Sequence, residues 1–198
     1  MNTLLDKDQT NILSGLQAQM KKVLKESRYR HTVSVAHTAA SLAMVYDVPL
    51  FKAMVSGMLH DCAKCYSDEE LLKKCRKKGL EIREAEEENP SLLHAKYGAY
   101  LAKHTYGVED EEILSAIECH TTGKPGMSLL DKIIFTADYI EPYRNHSDKL
   151  PRIRRLAFED IDRAMAVMFN EILNYLSQTG AKIDEMTRKT FEEYRNLL

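Results

Sequence analysis

Apolar residues recur at three- and four-residue spacing through most of the chain, with polar residues between them. From about Asp8 to Glu26 the rhythm runs through Leu13, Leu16, Met20, Val23 and Leu24, which predicts a first amphipathic helix. A second helix is expected from about Tyr29 to Tyr46, rich in Ala and ending before Val48-Pro49. A third opens at Pro49, a residue suited to a first helical turn, and carries Met54, Val55 and Met58 to His60-Asp61. Ser67 with Glu70 reads as a capping box that opens a short charged helix ending near Gly79. Further helices are expected from about Ser91 to Thr105, behind Pro90 and closed by Gly107, and from about Glu109 to Cys119. Gly123, Pro125 and Gly126 mark a break. Ser128 with Asp131 then caps a helix that ends at Glu141-Pro142. One long helix is expected from about Pro151 to Ser177, stopped at Gly180, and a last one from about Ile183 to Leu197. Their seams are expected in the core: Leu156, Ile161, Met165, Met168, Ile172 and Leu176, then Phe191 and Tyr194.

No segment sustains period-two alternation, and there is no repeat or low-complexity linker. The expected fold class is all-α, a compact multi-helix bundle. At 198 residues the chain suits one domain, residues 1–198. The acidic run Glu84–Glu88 reads as a solvated face or loop.

Charge removes some functions. Twenty-eight basic against thirty acidic residues leave a net charge of −2, which provides no field for polymeric nucleic acid. No apolar run approaches the ~18 residues of a membrane span. Met1 to Lys7 is polar and lacks the apolar stretch of a secretory signal, so the expected location is cytoplasmic. Cys62 and Cys65 form a C-x-x-C. With no second pair and no βαβ context, they read as small, half-buried helix residues in a reducing compartment.

The candidate chemistry lies in histidines and aspartates at helix ends: His31, His60-Asp61, His94, His120 and Asp138. Each helix would give one or two ligands to a bundle interior, a usual place for a metal site. Adjacent residues on a helix point ~100° apart, but at a helix end both His60 and Asp61 can reach a site off that end. An imidazole offers one nitrogen to one metal, whereas a carboxylate can bridge two. Mixed His/carboxylate ligation suits iron, manganese, cobalt or zinc better than magnesium or calcium.

The order H…HD…H…H…D resembles the HD-domain superfamily of metal-dependent phosphohydrolases. Four stretches narrow the resemblance: RYRHTVSVAHTAASLA (Arg28 to Ala43), GMLHDCAK (Gly57 to Lys64), LLHAKYGAYLA (Leu92 to Ala102) and IECHTTGKPGMSLLDKIIFTADYIEPYR (Ile117 to Arg144). Together they look like the YqeK-type HD hydrolases of bacteria, over about residues 20–175, with the C-terminal helices packed on that core. The resemblance implies a symmetrical diadenosine tetraphosphate hydrolase with a two-iron centre, releasing two ADP. It implies that His31, His60, Asp61 and Asp138 hold one metal, and that Asp61, His94 and His120 hold the other, Asp61 bridging. A hydroxide between the metals would attack a central phosphorus, with Asp61 and Lys64 as catalytic residues. Lys64, one helical turn past Asp61, and Arg144 would meet phosphate oxygens. Thr121, Thr122 and Gly123 would offer hydroxyls and free N–H groups, and Gly98 would leave room for a ligand.

Plainer roles compete at each position. Lys64 fits an ordinary surface lysine, Thr122 a cap on the turn at Gly123, and Arg144 a partner of Glu141 or of a helix C-terminus. Asp131 is explained by its cap. His37 and His104 read as structural, and His146 and the segment Arg152 to Arg155 stay open. Rival functions are hydrolysis of a mononucleotide or cyclic dinucleotide, and a non-catalytic metal-bound nucleotide sensor. A homodimer face among the C-terminal helices is compatible with the pattern.

Overall fold

The computed structural model describes residues 5–198, so Met1 to Leu4 of the polar N-terminal stretch lie outside the described residues. The elements are α1 (Lys7–Val23), α2 (Glu26–Val45), α3 (Leu50–Leu59), α4 (Asp68–Lys77), α5 (Glu84–Glu88), α6 (Leu93–His104), α7 (Glu111–Cys119), α8 (Leu129–Ile140), α9 (Leu150–Glu159), α10 (Ile161–Thr179) and α11 (Glu185–Tyr194). Short 3₁₀ turns lie at Pro90–Leu92 and Arg195–Leu197, and there is no strand among the described residues. Among the described residues no helix is long and apolar enough to cross a membrane.

The helix starts follow from their caps. Ser67 and Ser128 accept hydrogen bonds from the backbone N–H groups of Glu70 and Asp131, and those carboxylates return the bond to the cap N–H. Asp110 caps α7 in the same sense, which moves its start from the expected Glu109 to Glu111. Pro49 precedes α3 as its N-cap rather than opening its first turn.

Three expectations need correcting. The long helix over 151–177 is two helices. Asp160 is extended (φ −155°, ψ 96°) and its side chain accepts from Arg163 N–H, so a new N-cap interrupts an unbroken apolar rhythm. The seam also fades: Leu176 is only half-buried, and Tyr175 beside it is 65% exposed. The run Glu84–Glu88 is not wholly solvated, since it forms α5 and buries Glu86 against Arg83 (3.0 Å) and Lys96 (2.9 Å). Cys62 and Cys65 lie in the turn after α3, not on a helix. Cys62 is buried, and Cys65 is exposed.

Helix α3 is the hub. It packs against α1, α2, α7 and α8, and Ala53 and every residue from Val55 to Leu59 are buried. Its closest approach is to α2, where a Cβ on Gly57 would lie 2.7 Å from Ala36 Cα. Only glycine permits that spacing, which sets α2, and hence His31, against the C-terminal end of α3. On the other side α6 packs on α7 and α7 on α8, while α10 packs on α8, α9 and α11.

Gly57→Ala is therefore expected to cost about 1–3 kcal/mol of stability through overpacking. Urea denaturation measures it, and an unchanged midpoint would show that α2 and α3 move apart freely.

Candidate metal centre

Five helices bring their ends to one point. His31 lies in the second turn of α2, His60 caps the C-terminus of α3 with Asp61 next in the turn, His94 opens α6, His120 caps the C-terminus of α7, and Asp138 lies in the last turn of α8. All four histidines are buried, as is Asp61, and Asp138 is half-buried.

The backbone fixes which ring nitrogen faces inward. His60 Nδ1 donates to Gly57 O (2.7 Å), His94 Nδ1 to Ser91 O (2.5 Å) and His120 Nδ1 to Ile117 O (2.7 Å). Each partner is three residues upstream, where a helical turn ends and carbonyls need donors. A carbonyl only accepts, so each Nδ1 carries the proton and Nε2 is left to point inward. His31 is held differently: its Nδ1 donates to the buried Glu141 carboxylate at 3.1 Å. A carboxylate behind a ligand histidine fixes the ring and raises its basicity.

The inward nitrogens meet in two pairs. His31 Nε2 and His60 Nε2 are 3.4 Å apart, and His94 Nε2 and His120 Nε2 are 3.1 Å apart. Asp61 lies between the pairs. Its Oδ2 is 3.6 Å from His31 Nε2 and 3.4 Å from His60 Nε2. Its Oδ1 is 3.1 Å from His94 Nε2 and 3.9 Å from His120 Nε2. Asp138 Oδ1 adds to the first pair, 3.0 Å from His31 Nε2 and 3.9 Å from His60 Nε2.

Such a constellation is unstable without positive charge, because neutral imidazoles in this tautomer present lone pairs to one another. Burial works most strongly against a proton on His60, but the charge and hydrogen bond of Asp61, with Asp138 and the Gly57 carbonyl, together outweigh it and raise the pKa. Burial, with His94 and His60 nearby, pushes His120 down to about 3. Burial alone would raise Asp61, yet His60 and His94 hold its carboxyl well below the usual range. Asp138 is likewise lowered against burial by His31, His60 and Arg144. The result is a buried set of carboxylate oxygens and imidazole nitrogens. Two overlapping groups, His31/His60/Asp138 and His60/Asp61/His120, have the compactness to hold a metal ion.

Two arginines border the centre. Arg28 Nη1 is 2.7 Å from Asp61 Oδ2, and Arg144 Nη2 is 2.6 Å from Asp138 Oδ1 while its Nε donates to Asp138 O at 3.0 Å. Arg144 thus pairs with Asp138, not with the Glu141 side chain. Lys64 lies beyond the end of α3 in a turn closed by Lys64 N–H to Asp61 O (2.9 Å), so it follows Asp61 by one i→i+3 turn that is not part of the α-helix. It is half-buried, and burial lowers its pKa although Asp61 acts to raise it.

The remaining expectations divide. A Cβ on Gly98 would meet His60 O at 3.4 Å and Ile117 Cγ2 at 3.5 Å, ordinary contact distances, so this position of α6 packs against the backbone of His60 and against α7. Gly123 has φ +66°, and a Cβ would lie 2.7 Å from Phe169 Cζ; its N–H is not free but donates to Cys119 O (2.8 Å). Thr122 is buried beside it with its hydroxyl on Gly123 O (3.0 Å), and Thr121 is half-buried. Asp131 lies apart from the centre, accepting from Ser128 N–H (2.8 Å) and Ser115 Oγ (2.6 Å) and pairing with Lys124 (3.2 Å). His37 and His104 are exposed, the latter against Tyr100.

Sequence reasoning missed two residues, Arg28 and Glu141 as the support of His31, and left a third, Arg154, open. Arg28 stands one turn before His31, and Glu141 one turn after Asp138, both inside the motif stretches and on the ligand's own helical face or its continuation. Arg154 had no local signal. From α9 it donates to Ile140 O (2.8 Å), Glu141 O (3.1 Å) and Arg144 O (2.9 Å), fastening the loop that carries Glu141 and Arg144. Arg152 and Arg155 are exposed.

The family model described as HD domain matches residues 28–143, a span containing every residue of the cluster. The chain is 37% identical over 174 residues to the symmetrical bis(5'-nucleosyl)-tetraphosphatase of Bacillus subtilis (strain 168), covering 88% of this chain and 92% of the relative. Identity and coverage are the same for the protein of that name from Halalkalibacterium halodurans. Among solved structures, an HD superfamily hydrolase from Clostridium acetobutylicum, described as involved in NAD metabolism, is similar at TM-score 0.88 and 36% identity, covering 92% of this chain and 96% of that one.

Glu141→Gln is expected to weaken metal binding about 10–100-fold, because His31 loses its anionic anchor. Chelator competition reads this directly, and an affinity equal to the parent's would reduce Glu141 to a loop residue.

Proposed function

The chain belongs to the HD-domain family, with the bacterial symmetrical tetraphosphatases among its relatives, and on that premise we propose that it is a metal-dependent hydrolase splitting diadenosine tetraphosphate into two ADP. The observation that carries the reading is Asp61, whose two oxygens face separate histidine pairs. HD domains are metal-dependent, and this chain has the buried His/Asp cluster to match. In the proposed assignment His31, His60, Asp61 and Asp138 would hold one ion, and Asp61, His94 and His120 would hold a second. Iron is the first choice, and manganese, cobalt or zinc also suit this ligand set. Metal ions bound there would supply an activated water and neutralise charge on the phosphoryl oxygens.

The chain's own groups do the rest. A tetraphosphate bridge is strongly anionic, so its approach needs cations beyond the centre. Arg144 and Arg28 are each partly exposed and border the carboxylates, where a guanidinium can turn from a carboxylate to a phosphate. Lys64 offers a compact point charge from a half-buried position. The leaving group, a nucleoside diphosphate, is already a stable anion, so charge neutralisation matters more than proton donation. Thr121 stays in the proposed substrate site, whereas Gly98, Thr122 and Gly123 serve packing. The free cysteines fit a reducing, cytoplasmic setting.

The test is to load the protein with each candidate metal, add diadenosine tetraphosphate, and resolve ADP, AMP and ATP. ADP alone is expected. AMP with ATP would contradict the central cut, and turnover only of a mononucleotide or cyclic dinucleotide would transfer the activity to that substrate. Arg144→Ala is expected to keep its metals and lose about ten- to a hundredfold in kcat/KM, the worth of one charged hydrogen bond. Unchanged kinetics would remove Arg144 from the substrate site.

A further inference from the structure

A chain of four buried or half-buried charges lies outside the metal centre. Lys96 Nζ is 2.9 Å from Glu86 Oε2, Glu86 Oε1 is 3.0 Å from Arg83 Nη2, and Arg83 Nε is 2.8 Å from Asp184 Oδ2. The charges alternate in sign, and both carboxylates are buried. Removing one member would leave a buried neighbour unpaired, so such a chain fixes the register of the elements it joins. Those elements are α6 and α11. Lys96 lies two residues past His94 on α6, and Asp184 is the N-cap of α11, accepting from Met186 N–H at 2.8 Å.

The other half of α11 rests on the loop that leaves His120. Thr190 is fully buried and stands so close to Gly123 that a Cβ on the glycine would lie 2.9 Å from Thr190 Cγ2. One turn further, Glu193 accepts from Gly126 N–H, with both carboxylate oxygens 3.0 Å away. Between these two holds, a cavity of about 150 Å³ borders on Lys96, Cys119, Thr122 and Met186, so close packing does not set the spacing there. Helices α2 and α3, which carry His31 and His60, are joined instead by their own close contact at Gly57.

We propose that α11 is a brace for the second histidine pair. Asp184, acting through Arg83, Glu86 and Lys96, sets the position of His94, while Thr190 and Glu193 set that of His120. The pair, whose Nε2 atoms are 3.1 Å apart, thereby keeps the spacing a shared ion needs. The inference rests on reading the His/Asp cluster as a two-ion centre. It assigns positioning residues to a helix that lies outside the HD-domain match at residues 28–143.

The experiment follows the histidine ring signals by proton–nitrogen NMR while Zn²⁺ is titrated into the full chain, for the parent, Asp184→Asn and Glu193→Ala. Asparagine can still cap α11, and Glu193 is exposed, so both variants are expected to fold. The His94 and His120 signals are expected to saturate at about tenfold higher free Zn²⁺ in each variant, as for loss of a group that orients a ligand, while His31 and His60 saturate as in the parent. Equal weakening at all four rings would mean general loosening and overturn the brace, and so would no change at any ring. A parent that binds one ion per chain would overturn the two-ion reading instead. The metal-free spectra then decide the brace: only the His94 and His120 signals are expected to move between parent and variants, and unmoved signals would overturn it.

Discussion

The structure depends on the need to hold four imidazole nitrogens and two carboxylates together in a largely buried space. Each histidine spends its ring N–H on a carbonyl or carboxylate outside the cluster, so the nitrogens left inside are acceptors facing acceptors. Asp61 deepens the problem and also organises it, since one oxygen turns to each histidine pair. Removing such groups from water is costly unless they are paired or coordinate a metal. Arg28 and Arg144 compensate part of the negative charge from the rim. The centre of the cluster is left to a cation.

Much of the fold serves that convergence. Helix ends are where the ligands can be placed, because a histidine at a terminus satisfies an otherwise unpaired carbonyl and takes its tautomer from it. Close helix approach does the remaining positioning. Gly57 lets α2 reach α3. The C-terminal helices contribute at a distance: Arg154 on α9 holds three carbonyls of the loop that presents Glu141 and Arg144.

The all-α class and most helix boundaries were legible in the apolar spacing and the capping residues. The split at Asp160 was not, because the apolar rhythm continues across it and only the backbone turn reveals the cap. The six proposed ligands were legible as an ordered set, and the structure draws all six together. Their supporting residues were harder to see. Arg28 and Glu141 lie one turn from a ligand and could have been found by helical spacing, whereas Arg154 acts through tertiary contacts that no local pattern encodes. Gly123 departs from the expectation of a free N–H, which it spends on Cys119 O, and the space beside it is filled by Phe169 and Thr190. Lys64 lies past the end of α3 at Leu59, in a turn rather than an α-helix, and stays one hydrogen-bonded turn from Asp61.

The central claim is that Asp61 joins two cation sites into one centre. X-ray absorption at the metal edge of the loaded protein tests it most directly. The account predicts a metal–metal vector of about 3.5–4 Å, together with imidazole scattering, that is lost in Asp61→Asn. A single isolated metal ion per chain, with no such vector under any loading condition, would contradict it.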